Sequence, residues 1–184
     1  GVAALVERDE KFGKSYFSLN SDGSRADLIM IKGGGYRHPS SEETLREKVV
    51  DEYGNIRSDE QGYMQGGDVF NFVIREIPRD IKKTLEYAGD TADSFDYIVF
   101  HQANNFINAY IAKKMKLDTD KIPSTIAKYG NTSSVSVPLT IVSELKDRLY
   151  GNKKLLLSAF GVGMTWATGI VPFVDCKISD IVEV

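Results

Sequence analysis

The sequence predicts an α/β domain in which helices cover a mixed sheet. Two short apolar runs, at 97–100 and 155–160, have the length and composition of buried strands. Around them, apolar residues recur at spacings of three and four, which is the pattern of helices with one buried face. Alternation of such helices with buried strands is typical of layered α/β folds.

The first 62 residues predict short strands and a polar surface segment. Apolar runs of strand length are at 2–7, 16–19 and 28–31. The triple glycine at 33–35 lacks the Gly-Lys-Ser/Thr sequence of a phosphate-binding loop, which favours a connector or a closely packed turn. Ser40 or Ser41 can cap a helix with acidic residues in its first turn, and the charged stretch at about 40–62 indicates a surface excursion.

From residue 68 onward, long helical patterns alternate with apolar runs. Apolar residues of 68–89 form one face of a long helix, and Pro78 predicts a kink or two abutting helices because proline removes a backbone donor. The remaining predicted elements are a strand at 97–100, a helix at 106–115, a short strand near 122–126, a helix at 135–149 and strands at 155–160 and 165–171. One domain therefore extends from 1 to about 172, followed by a weakly patterned tail at 173–184.

Composition restricts the class of protein. A chain of 184 residues with 42% hydrophobic residues is long enough for one domain with a sizeable core. The net charge of −3 argues against nucleic-acid binding as the main function. No apolar run approaches the roughly 20 residues of a transmembrane helix, so no membrane span is expected. The single cysteine, Cys176, excludes a disulfide framework and favours a reducing, cytoplasmic compartment.

Polar side chains lie at two predicted strand-to-helix turns, where ligands bind in open α/β sheets. His101 follows the strand at 97–100, and Asn131 precedes the helix at 135–149. A helix start disfavours the charged imidazolium, so His101 is expected to be a neutral hydrogen-bond donor. With the Asn131 amide it could hold one negatively charged oxygen, and the backbone N–H groups of the Gly161, Val162 and Gly163 turn could add to this site.

Each of these features also has a purely structural interpretation. His101 can be a hydrogen-bonded residue at a strand end, Asn131 a helix cap, and the glycine turn a simple hairpin. The three turns supply no nucleophile. The only cysteine, Cys176, lies outside the periodic core and has no base nearby in sequence, so it is interpreted as a structural or incidental thiol. Two histidines and one cysteine argue against a metal site.

Three motifs, in this order and spacing, resemble the C-terminal half of β-ketoacyl-acyl-carrier-protein synthase III. They are His-Gln-Ala-Asn at 101–104, Tyr-Gly-Asn-Thr-Ser-Ser at 129–134 and Phe-Gly-Val-Gly-Met-Thr-Trp at 160–166. The resemblance extends over about 2–171 and implies the second half of a thiolase-like αβαβα fold. Because the chain also starts within a predicted strand, it is interpreted as a piece of a longer protein, from a diverged member of that family.

The resemblance implies an acyltransferase of fatty-acid or related biosynthesis that performs a decarboxylative Claisen condensation. An acyl group would be held on a Cys nucleophile of the missing N-terminal half, and malonyl-acyl-carrier-protein would supply the attacking carbon. His101 and Asn131 match the family's catalytic His and Asn, the Gly161–Gly163 turn its oxyanion loop, and Phe160 a residue packed between the catalytic groups. Thioesters of CoA or acyl carrier protein would be substrates, with no cofactor or metal, and the full-length protein would be a homodimer.

The sequence departs from the family at several positions. Lys113 and Lys114 match two basic residues with which the enteric family member docks its acidic carrier protein. Phe106 and Asn71 occupy positions where an arginine and a lysine are expected, which puts carrier docking in doubt. Val162 stands where the family usually has glycine. Without the nucleophile, which Cys176 does not match, the 184-residue chain alone is expected to be inactive.

Two other functions remain open at this point. A thiolase-fold acyltransferase could join an acyl group to an alcohol or amine without decarboxylation, with His101 as general base. A non-catalytic domain could serve in assembly or carrier binding. An upstream cysteine at the head of a helix would favour either enzyme over the non-catalytic domain.

Overall fold

A computed structural model describes residues 1–8, 10 and 12–182. These residues group into two compact units. The first contains Gly1–Asn20, Val73–Phe160 and the chain from Trp166 onward, and the second contains Ser21–Phe72 and Gly161–Thr165. Residues 183 and 184 of the predicted tail lie outside the described residues, and the predicted domain limit at 172 stays a prediction.

Eight strands and five α-helices are assigned in the described residues. The strands are β1 (Tyr16–Ser21), β2 (Ile29–Met30), β3 (Lys48–Val49), β4 (Ile56–Arg57), β5 (Tyr63–Met64), β6 (Tyr97–Phe100), β7 (Asn152–Gly161) and β8 (Thr165–Val174). The helices are α1 (Glu42–Leu45), α2 (Gly66–Ala88), α3 (Asn105–Met115), α4 (Ile126–Tyr129) and α5 (Ser136–Leu145). Short 3₁₀ turns are at Gly23–Leu28, Ala92–Ser94, Thr119–Lys121, Ser133–Val135 and Lys146–Arg148. Among the helices described, none is long and apolar enough to cross a bilayer.

The main sheet has the strand order β1-β8-β7-β6. Strands β6 and β7 are parallel, with Tyr97 opposite Leu155 and Phe100 opposite Ser158. These are the two apolar runs that predicted buried strands, and their parallel pairing requires the long crossover that α3 to α5 provide. The predicted α/β class, a mixed sheet covered by helices, is confirmed.

Helix α5 packs on the sheet through a buried aliphatic cluster. Its members are Val99, Ile141, Leu145, Leu149 and Leu155. Complete burial of each such side chain contributes about 1.5–3 kcal/mol to the free energy of unfolding. This cluster holds α5 against β6, and the start of α5 therefore lies near the end of the strand that leads to His101.

Helix α2 is tied to the sheet through a buried carboxylate. Asp80 is 4% exposed. Its Oδ1 accepts hydrogen bonds from Ser18 Oγ at 2.5 Å and Asn20 Nδ2 at 2.8 Å, and its Oδ2 accepts one from Thr168 Oγ1 at 2.6 Å. Three neutral donors on two strands thus solvate the carboxylate in place of water, which is what its burial requires.

Helix α2 continues across Pro78 as one assigned helix. Proline lacks the N–H that would bond to the carbonyl of Ile74, four residues earlier. That carbonyl instead accepts a hydrogen bond from Lys114 Nζ at 2.7 Å. The lysine of α3 therefore compensates the break in α2 and links the two helices.

Two predicted strands were wrong. Residues 2–7 have no strand assignment, and no described strand pairs with them, so their apolar pattern is not realised as sheet. Residues 122–126 also form no strand, because Pro123 lacks a donor and the N–H of Thr125 bonds to the side chain of Gln102 at 2.9 Å. The chain there passes from a 3₁₀ turn into α4.

The second unit contains the polar segment at 40–62. Ser41, one of the two predicted caps, caps α1, and it does so through a reciprocal capping box with Thr44. Strands β3 and β4 form an antiparallel pair, as do β2 and β5. A Cβ atom added to Gly33 would lie 3.0 Å from Cβ of Thr44, so the first glycine of the connector is closely packed, whereas a Cβ atom at Gly35 would meet nothing within 4 Å.

Candidate active site

The backbone of His101 is held from two sides. Its N–H donates to the carbonyl of Ser158 at 2.8 Å, which extends the β6–β7 ladder by one residue. Its own carbonyl accepts a hydrogen bond from Asn108 Nδ2 at 3.2 Å. The end of a parallel strand and the first turns of α3 thus fix the backbone position of His101, which lies at a strand-to-helix turn as the sequence predicted.

The His101 ring contacts Ser136, the first residue of α5. His101 Nδ1 lies 2.6 Å from Ser136 Oγ, and the N–H of Gln102 donates to the same oxygen at 3.3 Å. Ser136 is 1% exposed, and its hydroxyl has no other partner among the described residues. The hydroxyl hydrogen is therefore assigned to Nδ1, which leaves the ring hydrogen on Nε2.

Burial lowers the pKa of His101 below its ordinary value. A half-buried imidazole loses solvation of its charged form, so the neutral ring is favoured. The sequence predicted a neutral ring for another reason, the dipole of the following helix. Helix α3 begins only at Asn105, after the cap residue Asn104 whose side chain accepts from the N–H of Ile107.

Phe160 packs against the His101 ring. The two ring centroids are 5.1 Å apart, and the planes meet at 86° in an edge-to-face arrangement. Phe160 lies near the end of β7, beside the strand that ends before His101. An aromatic wall at this distance excludes water from one side of the imidazole, consistent with the lowered pKa.

Gln102 connects the strand end to the loop that precedes α4. It is completely buried, and its Nε2 donates to the carbonyl of Phe100 at 2.7 Å. Its Oε1 accepts hydrogen bonds from the N–H of Thr125 at 2.9 Å and from Ser124 Oγ at 3.1 Å. The Gln102 side chain therefore anchors residues 124 and 125, which directly precede α4, and α4 in turn leads to Asn131.

Asn131 follows α4 directly after Gly130, whose φ of +65° ends the helix. Its Oδ1 accepts a hydrogen bond from the N–H of Ser133 at 2.9 Å. This contact closes a turn before the 3₁₀ turn Ser133–Val135. The predicted helix-cap role of Asn131 was wrong, because Thr132 and Val135 occupy the cap positions of that turn and of α5. The contact with Ser133 also fixes the amide so that Nδ2 is left to donate, with no acceptor among the described residues.

The turn at 161–163 belongs to the second unit. Gly163 has a φ of +139°, and a Cβ atom there would lie 2.7 Å from Cγ2 of Thr165, so only glycine fits. The carbonyl of Val162 accepts a hydrogen bond from Thr165 Oγ1 at 2.9 Å, and the Val162 side chain is 61% exposed. Valine replaces glycine without loss of a backbone donor, and the oxyanion role of Gly161–Gly163 stays a prediction.

The remaining sequence-predicted residues lie elsewhere in the fold. Lys113 and Lys114 are exposed in the last turn of α3. Cys176 is an exposed free thiol beyond β8. Within the described ranges, no group of three or more His, Cys, Asp or Glu side chains has the geometry to hold a metal ion.

Sequence reasoning missed two residues of this site, Ser136 and Gln102. The sequence predicted no separate role for Gln102, which lies in the motif at 101–104, or for Ser136, which lies in the predicted helix at 135–149. Gln102 lay inside the His-Gln-Ala-Asn motif, where a polar residue directly after a buried strand was the available signal. Ser136 bonds to a ring 35 residues away, and local spacing carries no signal for that contact.

A family model described as the C-terminal domain of 3-oxoacyl-[acyl-carrier-protein] synthase III matches residues 85–173. The match includes His101, Asn131 and the turn at 161–163. β-Ketoacyl-[acyl-carrier-protein] synthase III of Streptococcus pneumoniae is 34% identical over 171 residues, which is 91% of this chain and 49% of that protein. The chain thus spans about half the length of the curated relatives it matches.

Solved structures give the same result. The crystal structure of 3-oxoacyl-(acyl-carrier protein) synthase from Burkholderia xenovorans LB400 is 36% identical with a TM-score of 0.80, over 92% of this chain and 47% of that one. The β-ketoacyl-[acyl-carrier-protein] synthase III of Thermus thermophilus is 26% identical with a TM-score of 0.71, over 94% and 49%. In sequence and fold, the chain is similar to the C-terminal half of proteins of the 3-oxoacyl-[acyl-carrier-protein] synthase III family.

Proposed function

We propose that the full-length protein catalyses the decarboxylative Claisen condensation of an acyl thioester with a malonyl thioester. The observation that carries this proposal is the contact of His101 Nδ1 with Ser136 Oγ at 2.6 Å. With Nδ1 occupied as an acceptor, Nε2 presents a hydrogen. A neutral imidazole that donates is suited to an enolate oxygen, a role known from other enolate-forming enzymes.

The proposed reaction begins with an acyl group bound as a thioester to a cysteine outside this chain. His101 Nε2–H and Asn131 Nδ2–H donate to the carbonyl oxygen of the malonyl thioester. The bond to the carboxylate breaks, CO₂ leaves, and the electron pair passes into the enolate that these two donors stabilise. The enolate carbon then attacks the acyl carbonyl, forms the new carbon–carbon bond and releases the cysteine as thiolate.

Other parts of the chain have supporting roles in this proposal. The N–H groups of the Gly161–Gly163 turn hold the oxyanion formed when the acyl carbonyl is attacked. Phe160, in edge-to-face contact with His101, keeps water from the enolate. No cofactor is needed, because the thioester itself stabilises the carbanion. Lys113 and Lys114 would contact the carrier protein named in the relatives, and a cytoplasmic homodimer is the assembly that the family resemblance implies.

The experiment compares His101→Ala with the parent full-length protein. We expect decarboxylation of labelled malonyl thioester to fall by about 10²–10³-fold, the usual cost of losing one oxyanion donor. Acylation of the cysteine, followed by mass spectrometry, should persist. His38→Ala is the matched control, because His38 is exposed in the second unit. Unchanged decarboxylation in a folded His101→Ala protein would refute the proposal.

The same experiment separates the other functions. As a general base for an alcohol or amine, His101 would need an unprotonated Nε2, and the Ser136 contact favours the opposite tautomer. Acyl transfer to an added alcohol without CO₂ release would nevertheless establish that activity in place of condensation. If the full-length protein shows no acylation at all, the non-catalytic domain is the one of the three functions that stands.

A further inference from the structure

Two buried threonine hydroxyls join the start of α4 to α5. Thr125 Oγ1 and Thr140 Oγ1 are 2.8 Å apart. Thr125 directly precedes α4 and is 1% exposed, and Thr140 lies in α5 and is completely buried. Burial of a hydroxyl is costly unless it is hydrogen-bonded, and the reaction proposed above uses neither of these two groups.

The Thr125 hydroxyl does not serve as a helix cap. Thr125 occupies the cap position of α4, where a threonine side chain normally accepts a hydrogen bond from the first turn of the helix. No such side-chain bond is present at the start of α4. The hydroxyl instead contacts Thr140 of another helix, so it stabilises the arrangement of two segments rather than α4 alone.

The direction of the hydrogen bond between the two threonines follows from a second contact. Thr140 Oγ1 donates to the carbonyl of Ser136 at 2.8 Å, one turn earlier in α5. A hydroxyl has one hydrogen, so Thr140 Oγ1 accepts in its contact with Thr125. The Thr125 hydroxyl therefore donates to Thr140, and Thr140 donates to the first residue of α5.

These bonds close a ring that includes the residue after His101. The N–H of Thr125 donates to Gln102 Oε1 at 2.9 Å, and the N–H of Gln102 donates to Ser136 Oγ at 3.3 Å. The four residues of this ring, Gln102, Thr125, Ser136 and Thr140, are each at most 1% exposed. The ring connects three segments, which are the end of β6, the loop before α4 and the first turn of α5.

We propose that Thr125 and Thr140 are positioning residues that hold the two hydrogen-bond donors of the reaction in place relative to each other. The inference rests on the proposed function. Ser136, in the ring, contacts His101 Nδ1, and α4, which starts directly after Thr125, leads to Asn131. Loss of the bond between the threonines frees the loop before α4 from α5. Because a misplacement of about 1 Å can cost about 100-fold in rate, this bond supports decarboxylation without contact with the substrate.

The test uses the full-length protein with Thr125→Val and Thr140→Val combined. Valine has the shape of threonine without the hydroxyl, and removal of both partners leaves neither hydroxyl unpaired, so the urea midpoint should stay close to that of the parent. We expect malonyl decarboxylation to fall about tenfold, while acylation of the cysteine changes less than about twofold. Nitrogen-15 NMR of the His101 ring, assigned with His101→Ala, should show a smaller fraction of the Nε2–H tautomer than in the parent.

A rescue variant and a matched control accompany this test. Thr125→Ser combined with Thr140→Ser keeps both hydroxyls and, at matched folded concentration, should decarboxylate within about twofold of the parent. Thr84→Val is the control, because Thr84 is 3% exposed and its hydroxyl donates to the carbonyl of Asp80 at 2.9 Å, the same one-turn contact in α2. Its decarboxylation should match that of the parent.

The outcomes are distinguishable. Parental decarboxylation by the double valine variant, an equal fall of decarboxylation and acylation, or an equal loss in Thr84→Val would overturn the positioning role while condensation still stands. If the valine pair does not fold, Thr140→Ser and Thr140→Ala give the same comparison with and without the hydroxyl, and equal rates would overturn the role.

Failure of the proposed function has a different signature. In that case the parent does not decarboxylate malonyl thioesters, and the tautomer of His101 decides the inference by itself. A smaller Nε2–H fraction in the double valine variant, with Thr84→Val like the parent, would support positioning. Equal fractions in the three proteins would contradict it.

Discussion

Replacement of Ser136 by alanine tests the reasoning about His101 most directly. The change removes the oxygen that lies 2.6 Å from His101 Nδ1 and that accepts the N–H of Gln102 at 3.3 Å. Among the described residues, the imidazole then has no hydrogen-bond partner that selects the Nε2–H tautomer. The buried N–H of Gln102 also loses its acceptor.

The size of the effect follows from these two contacts. A hydrogen bond of this kind contributes about 0.5–1.5 kcal/mol net, and a buried donor left unpaired costs about 1–3 kcal/mol. A loss of about 1–3 kcal/mol in stabilisation of the enolate corresponds to a decarboxylation rate lower by about 5- to 150-fold. In the proposed reaction Ser136 contacts His101 and Gln102 but not the substrate, so it is a positioning residue, and the effect should be smaller than that of His101→Ala.

The assay measures malonyl decarboxylation and cysteine acylation by the full-length protein, at matched folded concentration. Ser136→Ala should lower the first and spare the second, and Ser136→Thr, which restores a hydroxyl, should recover part of the lost rate. Ser143→Ala is the control on the same helix, because its hydroxyl bonds only to Glu144 in the described structure. An equal fall of both activities, or no change in decarboxylation, would refute the positioning role.

Two further predictions concern pH and stability. Because burial lowers the pKa of His101, the neutral donor predominates above its ordinary value near 6.5. Decarboxylation should therefore be flat at neutral pH and fall only below 6.5, and a fall starting above 7 would contradict this. Asp80→Ala removes the carboxylate that accepts from three donors, of which Asn20 Nδ2 keeps Ser18 Oγ as a second acceptor, so urea denaturation should show the free energy of unfolding lower by about 2–4 kcal/mol. Asp27→Ala, at an exposed position, should change it by less than about 0.5 kcal/mol.

Local patterns were sufficient to place His101. The apolar run at 97–100 could only be a buried strand, and the helical spacing after residue 105 required a strand-to-helix turn between them. The same reasoning identified the capped start of α1 at Ser41. It was wrong about Asn131, which it placed at a strand-to-helix turn, because Asn131 follows the short helix α4. These features depend on neighbours within about ten residues along the chain, which is the range over which sequence periodicity is informative.

Local patterns failed where partners are distant. The segment 122–126 has the composition of a strand, but Gln102, more than twenty residues earlier, bonds to its backbone and holds it in a loop. The apolar run at 2–7 likewise predicts a strand, yet no described strand pairs with it. An apolar run becomes a strand only when a neighbouring strand supplies its hydrogen bonds, and the run itself does not specify that neighbour.

The sequence by itself determined the fold class, the order of the main elements and the resemblance to the synthase III family, because buried strands, amphipathic helices and three spaced motifs depend on the local order of residues. Only the tertiary structure decided that Ser136 Oγ, from another helix, lies beside His101 Nδ1, the contact from which Nε2 is assigned as the donor. It also decided that Gln102 anchors the loop before Asn131 and that Lys114 closes the gap left by Pro78. Each of these contacts joins groups more than twenty residues apart, and packing of the sheet and helices brings them together.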